Sequence, residues 1–200
     1  MLFRSYRTGE RVAMPASDAA ASWRDVVVDV EARTITLARP LVLDLGALAK
    51  GLAIDLAARE LQPFEDFVVD AGGDLFASGH NADGEPWRVG IRNPRASGNV
   101  IETLAVSGAA VCTSGDYERR NEAGHHLLDT RTGLPAAVAA STTVVAPLAM
   151  VADALSTAAF VLGPSDGTTL LDRHGAEGIW YSSSLERFAT RGLQLETASA

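Results

Sequence analysis

Residues 141–163 have the sequence STTVVAPLAMVADALSTAAFVLG, which Pro147 divides into two parts. The β-branched run before the proline is typical of a strand. After the proline almost every residue is apolar, which indicates a helix that the rest of the chain covers on all sides. Gly163 and Pro164 together predict where that helix ends. A buried helix that follows a strand so closely predicts a domain containing both helices and sheet.

The rest of the chain contains many short strands and few helices. Apolar periodicity predicts one further long helix over residues 47–61 and a short amphipathic one over residues 165–174. Because strands and helices do not alternate regularly, the pattern favours an α+β or mixed α/β fold. Residues 1–22 show no clear periodicity and are predicted to be a separate segment before one domain over residues 23–200. Strands are predicted at 24–30, 34–44, 66–70, 75–78, 87–91, 100–106, 109–113, 126–129, 141–147, 178–182 and 187–190.

The composition is that of a folded globular domain. Hydrophobic residues make up 47% of the chain, which is too many for a disordered protein. The net charge of −8 argues against nucleic acid as a partner, because binding to phosphates needs clustered basic residues. Cys112 is the only cysteine, which excludes an internal disulfide and a cysteine-based zinc site, and we expect it in the core.

The sequence also bears on membranes and export. No apolar segment is long and uninterrupted enough to span a membrane, and no signal peptide is recognised at the start. As written, the chain is therefore expected in the cytoplasm, and its localisation is otherwise left open.

Three polar residues, Asp153, Ser156 and Thr157, lie inside the apolar helix and need partners there, since unsatisfied buried polar groups are costly. The four-residue spacing places Asp153 and Thr157 on one face of the helix. Carboxylate and hydroxyl oxygens suit Mg²⁺ or Ca²⁺ rather than zinc. The alternative is structural, with Asp153 bonded to a neighbouring loop and Thr157 bonded to the carbonyl four residues earlier.

A second candidate site lies at the start of the helix predicted over residues 47–61. Asp44 and Gly46 lead from a strand into it, and Lys50, the only lysine of the chain, lies in its first turns. The N–H groups and dipole of a helix N-terminus favour an anion, and an ammonium group adds to this effect. The segment matches no dinucleotide-binding or phosphate-loop motif, so an N-capping Asp44 and a solvated Lys50 are the alternative.

Two further segments could line a ligand pocket. Gly72–Asp74 follows a buried strand, and its glycines permit either close approach to a ligand or a plain tight turn. Residues 114–119, SGDYER, together with His125 and His126, could form a polar wall or supply a general base. Adjacent strand residues point to opposite faces, so the two histidines cannot easily bind one metal ion. An exposed loop is the alternative for both histidines.

Taken in order, these motifs resemble the ApbE family, the FAD:protein FMN transferases. Each motif alone would be weak, but six in the order of the family, over roughly residues 24–192, are specific. The segments that carry the resemblance are DLGALAKGLAID at 44–55, VDAGGDL at 69–75, PWRVGI at 86–91, TSGDYER at 113–119, HLLDTRTGLPA at 126–136 and TVVAPLAMVADALSTAAFVLG at 143–163.

The resemblance implies an ApbE-like flavin transferase fold and a chemistry. FAD is the substrate, Mg²⁺ engages its pyrophosphate, and FMN passes to a Thr or Ser hydroxyl of a target protein with release of AMP. Some members instead hydrolyse FAD to FMN and AMP. The residues that this resemblance assigns are Asp44, Lys50 and Leu127 as FAD contacts, Ala47 through its backbone carbonyl with Asp153 and Thr157 as Mg²⁺ ligands, and His126 or Asp153 as the base.

The resemblance departs from the family at the front of the chain. Members carry a further N-terminal region before the segment that matches residues 24–44, and this region supplies part of the flavin cleft. We therefore expect an N-terminally truncated form in which residues 1–22 are a remnant. A truncated flavin-binding protein without activity is the alternative to an active enzyme.

Overall fold

The structure is a computed structural model that describes residues 2–4, 11–13, 20–43, 45–117, 127–132 and 134–193. The chain forms two compact units, Met1–Leu45 and Gly46–Ala200, which are described separately below. The predicted boundary between residues 22 and 23 stays a prediction.

The first unit consists of two antiparallel strand pairs. Strand β1 (Leu2–Arg4) pairs with β2 (Arg11–Ala13), and β3 (Val26–Asp29) pairs with β4 (Thr34–Leu37). A short 3₁₀ helix, Trp23–Asp25, precedes β3.

Both strands of the second pair are shorter than the sequence predicted. Strand β3 starts late because Ser22 and Asp25 cap the 3₁₀ turn reciprocally, with Ser22 N donating to Asp25 Oδ2 at 2.8 Å. The predicted strand over residues 34–44 was too long, since β4 ends at Leu37. Pro40 lacks the N–H that a continued ladder would need.

The centre of the second unit is a six-stranded antiparallel sheet in the order β12-β11-β10-β9-β6-β5. A separate antiparallel ribbon of two strands, β7 (Trp87–Arg92) and β8 (Val100–Val106), completes the strands of this unit among the described residues. The strands of the sheet are β5 (Phe67–Ala71), β6 (Asp74–Ser78), β9 (Ala109–Gly115), β10 (Ser141–Ala146), β11 (Glu177–Tyr181) and β12 (Arg187–Ala189).

Two helices, α1 (Ala49–Glu60) and α2 (Ala149–Arg173), pack on one face of this sheet. The helices predicted over residues 148–162 and 165–174 run together as α2, which is kinked where Gly163 adopts a φ of 77° before Pro164. Neither α1 nor α2, the α-helices of the described part of the chain, has the length and apolarity that crossing a membrane would require.

The apolar core lies on both faces of the sheet. On the helix side, Phe160 and Trp180 are almost fully buried, and the Trp180 Nε1–H donates to the Ala159 carbonyl at 3.0 Å. On the other side, Leu104 of the ribbon packs in a cluster with Val111 and Ile179 of the sheet. The second unit therefore has three layers, and its mixed α/β architecture confirms the fold class predicted from the sequence.

Candidate functional site

The N-terminal parts of α1 and α2 cross in direct backbone contact. Gly51 of α1 is buried, and a Cβ placed on it would lie 2.6 Å from the Cα of Met150, closer than atoms pack. The Gly51 N–H donates to Asp153 Oδ2 at 3.0 Å, across 102 residues of sequence. The close approach that glycine permits therefore brings the DLGALAKG segment onto the buried carboxylate of α2.

Asp55 fixes the same crossing from the other side. Helix α2 begins after Leu148, which provides no side-chain cap. Asp55 of α1 accepts instead, with Oδ1 2.7 Å from Ala149 N and Oδ2 2.9 Å from Met150 N. Sequence reasoning did not single out Asp55. Its signal was indirect, since the helix start APLAM contains no capping residue and needed one from elsewhere.

Asp153 is 7% exposed, and the backbone of α1 is one of its partners. The Thr157 hydroxyl lies one turn further along α2, 3.1 Å from Ser114 Oγ of β9. Ser114 Oγ also lies 2.9 Å from Ser156 Oγ, and the Ser156 hydroxyl donates to the Asp153 carbonyl at 2.9 Å. The polar residues that the sequence placed inside the apolar helix are thus satisfied mainly by α1 and β9.

Lys50 is held in an ion pair rather than left in solvent alone. Its Nζ lies 2.5 Å from Asp74 Oδ2, and Asp74 is only 3% exposed. The other carboxylate oxygen, Oδ1, accepts from Thr113 N at 2.9 Å. The Lys50 side chain itself is 40% exposed, so a ligand can still reach it.

The turn between β5 and β6 delivers Asp74 to this position. Gly72 and Gly73 have φ values of 70° and 98°, a region that disfavours residues with a Cβ. They line a cleft of about 80 Å³ together with Asp74, Arg92 and Tyr117.

Negative charge predominates around this crossing. Burial raises the pKa of the Cys112 thiol, the carboxylates of Asp74, Asp153 and Asp55 raise it further, and Lys50 lowers it. Cys112 is fully buried and its Sγ lies 3.6 Å from the Ala149 carbonyl oxygen. Three carboxylates against one ammonium group give this crossing a net negative charge, which is compatible with a bound cation.

The donor chemistry fits Mg²⁺. Asp153 and Thr157 provide a carboxylate and a hydroxyl, which are hard oxygen ligands. Within the described ranges, no three side chains of His, Cys, Asp or Glu cluster so that they could hold a metal ion. A magnesium site here would therefore need backbone carbonyl, phosphate or water oxygens as well.

The remaining predicted site residues are placed as follows. Ala47 is half-buried in the turn that leads into α1. Leu127 is 6% exposed, belongs to the core cluster on the helix side of the sheet, and accepts from Ala136 N at 2.9 Å. Asp44 and His126 lie outside the described residues, as does His125. Their roles, like the ligand roles of the other residues, stay predictions.

Fold and site together define a class of protein, a mixed α/β domain in which two crossing helices bury an acidic, cation-compatible centre beside a glycine-lined cleft. The family model that matches residues 2–180 is described as the ApbE family. The chain belongs to this family.

Relatives and solved structures agree with this assignment. The chain is 34% identical over 154 residues to an FAD:protein FMN transferase of Haemophilus influenzae, covering 72% of this chain and 44% of the relative. It is 35% identical over 143 residues to one from Escherichia coli, covering 68% and 41%. The chain thus spans less than half the length of these two curated relatives.

Two solved structures show the same fold. An ApbE protein from Thermotoga maritima superposes with a TM-score of 0.74 at 33% identity, covering 85% of this chain and 58% of that one. The flavin transferase ApbE of Vibrio cholerae superposes with a TM-score of 0.74 at 28% identity, covering 86% and 58%.

Proposed function

We propose that this chain performs Mg²⁺-dependent transfer of FMN from FAD to a Thr or Ser hydroxyl of a target protein, releasing AMP. The observation that carries the proposal is the 3.0 Å hydrogen bond from Gly51 N to Asp153 Oδ2, which joins the two motifs expected to bind FAD and metal. Relatives at 34% and 35% identity are named FAD:protein FMN transferase, which supports the same activity.

The metal-binding residues in this proposal are Asp153, Thr157 and the backbone carbonyl of Ala47. Asp153 is buried, and the charges of Asp74, Asp153 and Asp55 all act on Cys112 at this crossing, so a divalent cation would offset the negative charge here. When bound, Mg²⁺ supplies positive charge that stabilises the pyrophosphate and the leaving AMP.

Lys50 and Asp44 contact FAD in this proposal, with Leu127 on the flavin side. The ion pair limits the rotamers of the Lys50 side chain and holds its ammonium group against Asp74, which also lines the glycine-lined cleft. A fixed ammonium group stabilises the negative charge of a phosphate better than a mobile one, because little reorganisation is needed.

The proton of the attacking hydroxyl needs an acceptor, and His126 and Asp153 are the two candidates. Asp153 already accepts an N–H from Gly51 and is assigned as a metal ligand in the same proposal. Replacement of His126 by Gln distinguishes between these two candidate bases. A loss of transfer at saturating FAD and metal identifies His126 as the base, whereas unchanged transfer leaves Asp153 as the candidate base.

The test of the proposed function is a transfer assay on the purified chain. We incubate it with FAD and a Thr-containing acceptor peptide, with and without Mg²⁺, and measure the intact mass of the peptide and the FMN and AMP released. A mass increase of one FMN that requires metal is expected for the wild type. We expect D153N to lose at least about 100-fold of this activity, since it removes a charged ligand.

The matched control is T142V, which alters a buried side chain of β10 that makes no hydrogen bond among the described residues. It should transfer FMN like the wild type. Free FMN and AMP without labelled peptide would identify an FAD pyrophosphatase instead. Retained FAD without turnover by a folded chain would identify a flavin-binding protein without activity.

A further inference from the structure

A short chain of hydroxyl groups connects Thr157 to the backbone of α2. Ser114 Oγ of β9 lies 3.1 Å from Thr157 Oγ1 and 2.9 Å from Ser156 Oγ, and Ser156 Oγ lies 2.9 Å from the Asp153 carbonyl oxygen. From this series of hydroxyl groups we infer that Ser114 is a positioning residue for a metal ion, acting through the hydroxyl of Thr157. The inference rests on the proposed function, which assigns Thr157 as a metal ligand.

Counting hydrogens fixes the direction of every bond in the chain. A carbonyl oxygen can only accept a hydrogen bond, so the Ser156 hydroxyl donates its single hydrogen to the Asp153 carbonyl. In the contact between the two serines, Ser156 must then accept and Ser114 must donate. Ser114 has no second hydrogen, so Thr157 donates to Ser114.

The direction of this last bond determines what Thr157 can offer a cation. Its hydrogen is directed at Ser114 of the sheet, so both lone pairs of Oγ1 point in other directions. A hydroxyl binds a cation through a lone pair, and a hydrogen pointing at the cation would oppose binding. Ser114 therefore holds Thr157 in the orientation that a metal ligand needs.

The surroundings leave few substitutes for Ser114. Ser156 is 1% exposed and Ser114 is 9% exposed, so bulk water has little access to these hydroxyl groups. The register of the sheet places Thr142 of β10 directly opposite Ser114, on the same face. Its hydroxyl nevertheless makes no hydrogen bond in the described part of the protein, so Thr142 does not belong to this series of bonded hydroxyl groups.

The test measures Mn²⁺ affinity directly, by titrating the purified chain and following free Mn²⁺ by electron paramagnetic resonance. Mn²⁺ prefers the same octahedral oxygen ligands as Mg²⁺. The variants are S114A, T157V, the double variant and T142V as control. We expect about 10-fold weaker binding for S114A, as for other residues that orient metal ligands. T142V should bind within about twofold of the wild type.

The double variant separates positioning from a general structural effect. If Ser114 acts through Thr157, then adding S114A to T157V should weaken binding by less than about twofold. Melting temperatures without metal check that each variant folds. Should S114A not fold, S156A replaces it. That variant frees the Ser114 hydrogen to point at Thr157, and we expect weaker binding by several-fold.

Two results would overturn the inference and leave the proposed function standing. One is unchanged Mn²⁺ affinity in S114A while T157V binds weakly, and the other is an equal loss from S114A in both backgrounds. If T157V binds Mn²⁺ as tightly as the wild type, the metal assignment itself is wrong and the inference fails with it.

Discussion

Single side chains in this domain often find their partners in distant parts of the sequence. Asp153 of α2 binds the backbone of α1, Asp55 of α1 caps α2, and Asp74 of β6 holds Lys50. Each of these carboxylates serves a group on another element. Substitutions here should therefore affect the packing of the site and its charge together.

Gly51 allows the two helices to approach. A Cβ at this position would meet the backbone of Ala149 and Met150, so G51A must push the helices apart. We expect a loss of about 1–3 kcal/mol in the free energy of unfolding, measured by urea denaturation. Ala53 is exposed on the same helix, and A53S should change stability by less than about 0.5 kcal/mol. Equal stability of G51A and A53S would contradict the close approach.

Thr142 carries a buried hydroxyl that makes no hydrogen bond among the described residues. T142V replaces that hydroxyl with a methyl group of similar size and removes the cost of burying it. We expect a free energy of unfolding that is unchanged or raised by up to about 1 kcal/mol. Thr113, whose Oγ1 lies 2.8 Å from Thr143 Oγ1, provides the contrast. A loss in T142V as large as that in T113V would mean that the hydroxyl is in fact bonded.

At the level of helices and strands, the start of α2 depends on a neighbouring helix. D55A removes the acceptor for two N–H groups of its first turn, and we expect a loss of about 1–2 kcal/mol by urea denaturation. Asp172 lies exposed at the other end of α2, where a negative charge is unfavourable. D172A should therefore be neutral or slightly stabilising. Comparable losses in both variants would argue against capping by Asp55.

A second contact between elements joins the ribbon to the edge of the sheet. Glu102 of β8 accepts from the Tyr181 hydroxyl of β11, and Arg187 Nε of β12 lies 2.9 Å from its Oε2. Burial raises the pKa of the Glu102 carboxyl, but the hydrogen bonds from Arg187 and Tyr181 outweigh burial. The net pKa lies below the usual value.

This lowered pKa has a consequence for stability. A carboxyl whose pKa is lower in the folded state contributes stability above its unfolded pKa, roughly 4.3, and loses it as the pH falls through its folded pKa. The stability difference between the wild type and E102Q should thus be full at pH 7 and shrink below about pH 4. Glu60 is exposed, and E60Q should show little difference throughout. A difference between the wild type and E102Q that does not depend on pH would contradict this contact.

Elements with strong local signals could be predicted from the sequence. The apolar part of α2 and its break at Gly163 were predicted correctly. A helix that is apolar on all sides is stable only where the rest of the domain buries it, so its sequence is easy to recognise. Strand β9 was predicted to end at residue 113 but continues through Ser114 and Gly115. Its pairing with Ser141 and Thr142 of β10 overrides the polar local sequence.

The site was harder to predict than the fold, for a physical reason. The four-residue spacing brought Asp153 and Thr157 to one helix face, since that relation is local. The partners Ser114, Asp55 and Asp74 depend on how the sheet and helices pack, which spacing along the chain does not encode. Lys50 was singled out because it is the only lysine, but its ion pair required the turn that places Asp74 beneath it.

On the scale of the whole domain, helices, sheet and ribbon form three layers, and the chemistry is concentrated where the two helices cross. The helix side of the sheet carries the buried carboxylates, and the turn between β5 and β6 adds the glycine-lined cleft beside them. The ribbon side provides a second apolar cluster that supports the sheet from behind. We therefore propose that this crossing is a metal site.

Anomalous diffraction from crystals of the chain grown with FAD and Mn²⁺ tests that claim most directly. We predict one strong peak about 2.2 Å from a carboxylate oxygen of Asp153 and from Thr157 Oγ1, with the Ala47 carbonyl and FAD phosphates completing the coordination. Crystals of D153N grown under the same conditions should lack the peak. A peak bound to other residues, or FAD bound with no metal at the crossing, would contradict the account.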